Sequence, residues 1–138
     1  MRLLREPASH EAFVGVLFDE LDLLERLLFK STELSLLVTH GALEHVTPAV
    51  EEVVRLEEEL CEVEVVRAAI VDSLSRGDPT SLDSVARDAP GDLRDVIDFL
   101  GRELRLLTTE VGALLSDTRH ELAELGHELS ISTARGPG

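Results

Sequence analysis

A chain of 138 residues with 43% hydrophobic content is long enough for a core of its own, and a single domain over residues 1–138 is the expectation. Four Phe with no Trp or Tyr leave few rings for base stacking, and a net charge of −15 repels a polyanion and an anionic membrane surface alike. Nucleic acid and membrane insertion are therefore excluded as partners, while a basic or helical protein is compatible.

Residues 1–8 form a short basic lead ended by Pro7, without an apolar stretch of signal-peptide length. Ser9 is placed to cap a first helix, with Glu11 in its first turn against the helix dipole. That helix runs to about Val38. Its apolar stripe reads Val14, Leu17, Leu21, Leu24 and Leu28, and Phe13, Phe18, Leu27, Leu34 and Leu37 widen it to a face that packs against two neighbours. Gly41 is a natural C′ residue after Thr39-His40.

Thr47-Pro48 reads either as the start of the second helix or as a kink in one that begins at Leu43. This helix carries Val46, Ala49, Val53, Leu56, Leu60, Val63, Ile70 and Leu74, interrupted by Arg67, and stops at Arg76-Gly77-Asp78-Pro79. Glu51, Glu52, Glu57, Glu58, Glu59, Glu62 and Glu64 face only Arg55 and Arg67 there, as a solvated outer face or a surface that steers a partner. Cys61, the single cysteine, allows no internal disulfide and is expected half-buried on the same helix.

Residues 80–91 are a connector. Thr80-Ser81-Leu82-Asp83 has the form of a capping box, which predicts a short helix from Ser81 to about Arg87, closed by Ala89-Pro90-Gly91. Asp92 then caps a long final helix. Leu93, Ile97, Leu100, Leu104, Leu107, Val111 and Leu114 follow in unbroken four–three steps, the spacing of a coiled-coil seam. The seam slips after Thr118, in the manner of a four-residue stutter, and resumes at Leu122, Leu125 and Leu129. Residues 132–138 read as a disordered tail.

The expected fold is all-α: an elongated three-helix antiparallel bundle or coiled-coil hairpin, with a short connector helix before the long C-terminal helix. The last helix, roughly 55 Å at 1.5 Å per residue, should overhang its partners by about 10 Å or more. Gly101, Gly112 and Gly126 weaken it, each by roughly 1 kcal/mol against alanine, as suits a segment that orders fully when a partner helix arrives.

Chemistry is sparse. Asp117-x-x-His120 and Glu124-x-x-His127 resemble half of a di-iron helix pair, but both stand on one helix with no second copy upstream, so no metal is expected. Thr39-His40-Gly41 lacks the context of a phosphotransfer histidine. No phosphate loop, nucleophile elbow or paired catalytic acids can be named. The chain is read as a non-enzyme without cofactors, and no window approaches the roughly 18 apolar residues of a membrane span, so as a cytoplasmic protein.

The Leu-Leu-Glu-rich first helix, the break at Gly41 and the Glu-rich second helix with its central Arg resemble the flagellar export chaperone FlgN family. The connector Thr80-Ser81-Leu82-Asp83-Ser84-Val85-Ala86 with Pro90 matches the family's short helix. Leu100, Leu104 and Leu107, with Val111, Leu114 and Leu115, resemble its leucine-rich last helix. The similarity spans roughly residues 10–131.

The resemblance implies a cytosolic type III protein export chaperone of bacterial flagellum biogenesis. Its partners would be the hook-associated (hook–filament junction) proteins, whose terminal helices are amphipathic, and the flagellar export apparatus. An exposed seam on the long helix suits the helix-in-groove mode, with Leu104, Leu107, Val111, Leu114, Leu115, Leu122, Leu125 and Leu129 as the expected partner-binding residues. The alternative is a structural or oligomerisation coiled coil, in which the same stripe pairs with another helical protein or, as a homodimer, with a second copy. For Leu104 to Leu114 an intramolecular core role is the competing reading.

Overall fold

A computed structural model of the chain describes residues 9–74, 85, 87 and 89–134, with side chains to residue 126. Three helices account for nearly all of it: α1 (His10–Thr39), α2 (Val46–Leu74) and α3 (Gly91–Ala134), with a 3₁₀ turn at Leu43–His45. No strand occurs among the described residues, and the helices pack on one another as an all-α bundle.

Local chemistry sets the helix ends. Ser9 Oγ accepts from the Ala12 amide at 3.1 Å, an N-cap that satisfies one of the orphan donors of the first turn. At the other end Gly41 adopts φ +70°, its N–H donates to Val38 O at 3.2 Å, and the Ala42 N–H donates to Leu37 O at 2.9 Å. Those two bonds are the Schellman pair, and they turn the chain back on itself. Pro48 does not start α2. It is the third residue of a helix that follows the 3₁₀ turn directly, inside the first turn, where a missing N–H costs no intrahelical bond. Asp92 likewise lies in the first turn of α3 rather than at its cap, because the Arg94 N–H already reaches Pro90 O at 2.8 Å.

Ion pairs fix the helix directions. Lys30 with Glu52 (2.7 Å) and Glu20 with Arg67 (2.7 Å) put α2 antiparallel to α1. Glu20 shares a cleft with Leu104, and Val38 shares another with Leu125, so α3 runs parallel to α1. The topology is up–down–up. The helix held in common is α1: it packs along both others, whereas no Cα of α2 lies within 8 Å of one in α3 among the described residues. The chain is thus built around its first helix, not its last.

The buried seam of α1 reads Phe13, Leu17, Glu20, Leu24, Leu27, Ser31, Leu34 and Val38, in four–three steps with two polar members, and Leu23 is buried beside it. Phe18, expected on the packed face, is instead 52% exposed. On α2 only Ala49, Val53 and Leu56 are buried; Leu60, Val63, Ile70, Val71 and Leu74 are half-covered, since α3 stands too far off to close over them. Cys61 is exposed rather than half-buried.

From α3 come Ile97, Leu100, Leu104, Val111, Leu115 and Thr118. Thr118 is therefore a member of the seam and not its break: the extra four-residue step falls between Val111 and Leu115. Its hydroxyl donates to Leu114 O at 2.8 Å, which allows a polar side chain in that position.

Val85 and Ala89 of the connector are buried, and Val85 and Arg87 are helical; the rest of the expected connector helix lies outside the described residues, as do the basic lead 1–8 and residues 135–138. Residues 132–134, expected in a disordered tail, are helical instead. With Thr39 level with Leu125, α3 runs on for nine residues past the end of α1, roughly 14 Å at 1.5 Å per residue.

Candidate docking surface

The eight leucine and valine positions expected to bind a partner divide by side of α3. Leu104, Val111 and Leu115 are interior, 6, 4 and 5% exposed, and belong to the core that α3 shares with α1. Leu107, Leu122 and Leu125 are half-buried and packed against that core, and Leu114 is half-buried as well. The side chain of Leu129 lies outside the described residues.

The open side is defined by where α2 is not. Arg119 Nη2 donates to both carboxylate oxygens of Glu57 on α2, at 2.9 and 2.8 Å, and Gly101, Arg105 and Thr108 line a cleft of about 360 Å³ with Glu64 and Arg67. Those α3 residues mark the flank turned toward α2. Leu107, Leu114 and Leu125 are seven and eleven residues apart, two and three turns, so they share a side of the helix, and that side is the opposite flank. On α1 the half-buried Val14, Leu21 and Leu28 repeat every seven residues beside them. A shallow trough floored by leucines therefore runs along the α1–α3 pair on the side away from α2.

Further apolar side chains stand exposed on the outer faces of these two helices. Phe99 and Leu106 on α3 are 51 and 67% exposed, and Phe18 on α1 stands at their level, two residues before Glu20 and hence near Leu104. Sequence reading misses Phe99 and Leu106 and puts Phe18 on the packed face. They are apolar residues one place off the seam, and only the position of α2 decides whether such residues are covered.

Polar groups within the bundle are structural. Arg67 Nε lies 2.7 Å from Glu20 Oε1 but off-axis, so neither atom makes an aligned hydrogen bond. Burial pushes the Glu20 carboxyl above its ordinary value, by more than the Arg67 guanidinium draws it down, and Glu64 adds to the rise. At the surface, the bond to Glu52 holds Lys30 above its ordinary value and the same bond holds Glu52 below its own. His120 Nε2 lies 3.1 Å from Glu124 Oε1, both exposed. Among the described residues no cluster of three His, Cys, Asp or Glu side chains is arranged to hold a metal, and no helix is long and apolar enough to cross a membrane. What the arrangement offers is apolar surface along a helix pair, together with a helix end that outruns its cover.

Compared with known proteins, the chain matches no family model, no curated protein and no solved structure.

Proposed function

We propose that the protein is a cytosolic export chaperone of the FlgN type, which holds the amphipathic terminal helices of hook-associated proteins against its α1–α3 trough. One observation carries the reading. Leu107, Leu114 and Leu125 remain half-covered in the free chain, on the flank where α2 leaves the bundle one helix short, Leu122 is half-covered at the end of the seam, and α3 continues beyond α1. A guest helix laid there would bury its own apolar face, which is otherwise free to self-assemble, while the chain's buried seam stays undisturbed. The resemblance of the connector and last helix to that family supports the choice of guest.

The test is titration of hook-associated terminal-helix peptides into the protein by calorimetry, with Leu125→Asp and Leu122→Asp as variants. Loss of binding with an unchanged helical circular dichroism spectrum is the expected result. Variants that unfold the free protein, or that bind as the wild type does, would defeat the reading.

Self-pairing is the second reading, favoured by Phe29 and Leu36, which are 66 and 55% exposed on the outer side of α1 seven residues apart. Light scattering after size-exclusion chromatography separates the two: a tight symmetric dimer supports self-pairing, and a monomer supports the chaperone.

A further inference from the structure

Four acids stand at seven-residue intervals along α3: Glu103, Glu110, Asp117 and Glu124. Leu107 and Leu114 fall between successive acids, four residues after one and three before the next, so Glu103, Glu110 and Asp117 border the trough floor on one side, and Glu124 continues the row beside Leu125. Glu110, Asp117 and Glu124 are exposed and Glu103 is half-exposed. Among the described residues no ion pair engages Glu103, Glu110 or Asp117, whereas the arginines Arg105 and Arg119 are turned to the α2 flank. Arg102 and His120 are the bases on the outer side of α3.

In a coiled coil, charges that border the apolar seam select the partner, because each meets the flanking residue of the opposing helix. From this row we infer that the α1–α3 trough selects an amphipathic helix whose apolar stripe is bordered by Lys or Arg. Phe18, Phe99 and Leu106 extend the contact toward the N-terminal end of the bundle. A second copy of the chain is the wrong occupant. It would set an equivalent acidic row against this one, in a molecule already at −15. The inference rests on the reading of the trough as a helix dock but not on the identity of the guest.

The probes are two designed helical peptides with the same leucine stripe, one bordered by lysine and the other by glutamate, titrated by fluorescence anisotropy. The lysine peptide should bind at least about tenfold tighter than the glutamate peptide at low salt, with the preference shrinking as ionic strength rises. A triple variant, E103Q with E110Q and D117N, should lose most of that preference. Neutralising three acids of α2 (E58Q, E59Q and E62Q) should leave it in place. The double variant Phe99→Ser and Leu106→Ser, at exposed positions, should weaken the lysine peptide at least about tenfold with the helical spectrum unchanged.

Equal binding of the two peptides, each sensitive to Phe99 and Leu106, would overturn the charge rule and leave the dock. Loss of preference in the α2 variant as large as in the α3 variant would overturn it too, since any acidic surface would then serve. If neither peptide binds, or if light scattering gives a dimer that the Phe99 and Leu106 variant dissociates, both the charge rule and the helix dock fail.

Discussion

Arg67 of α2 reaches across to Glu20 of α1, Nε to Oε1 2.7 Å, at a point where the heptad of α1 calls for an apolar residue. Glu20 is 4% exposed, and Arg67 keeps part of its side chain in solvent. Desolvation raises the carboxyl, and the arginine only partly offsets it. An acid whose folded value lies above its unfolded one binds more protons folded than unfolded. Its contribution to stability is therefore lost as pH rises from the ordinary value of 4.5 through the raised one, and regained as pH falls. Glu20→Gln mimics the protonated form. The gap in Tm between this variant and the wild type should be small near the ordinary value and widen in the variant's favour toward neutral pH. A gap that narrows would mean that Arg67 outweighs burial.

The same pair predicts an asymmetry between single and double replacement. Arg67→Leu leaves a buried carboxylate uncompensated and should cost about 3 kcal/mol at neutral pH, whereas replacing Glu20 and Arg67 together by leucine should be neutral or stabilising by about 1–4 kcal/mol. Urea denaturation of the two variants beside the wild type measures both. If the double variant is the less stable one, the ion pair contributes net stability and is not a conflict tolerated in the seam.

How the sequence could be read follows from which features are local. The Ser9 cap and the Gly41 reversal depend on a few neighbouring residues, and both stand where the spacing put them. Arg67 was visible as an interruption of α2, but Glu20 was not, because a search for apolar periodicity passes over the polar members of a seam; Ser31, fully buried, escaped in the same way. Thr118 marks a slip of register in the sequence, but its hydroxyl, bonded to Leu114 O, lets it lie inside the seam. The choice of α1 as the shared helix, and the exposure of Phe18, Phe99 and Leu106, depend on where α2 packs, which no single helix encodes.

Leu104 and Leu106, two residues apart, should respond oppositely. Leu104 is 6% exposed between α1 and α3, and truncation to alanine leaves a cavity that costs about 2–5 kcal/mol. Leu106 is 67% exposed, and its truncation should stay within about 0.5 kcal/mol. Thermal unfolding of both variants is the measurement. A costly Leu106→Ala would place that residue in a contact of the free protein and close that outer face to any guest.

Gly112 and Gly126 interrupt α3 with no packing reason. A Cβ built at either meets nothing within 4 Å, so neither glycine serves a close helix approach. Alanine at such a helix-interior site should stabilise by about 1 kcal/mol through backbone entropy alone. The two should nonetheless differ in effect. At Gly112, exposed but within the stretch of α3 that packs along α1, the gain should appear as a higher Tm of the whole molecule. Gly126 begins the stretch that outruns α1, so Gly126→Ala should raise helical content with little change in Tm, and should tighten guest binding by removing part of the ordering cost that a docking helix otherwise meets. Circular dichroism and peptide titration on the same variant separate these effects. A Gly126→Ala protein that gains helix but binds no more tightly would show that the end of α3 takes no part in the dock.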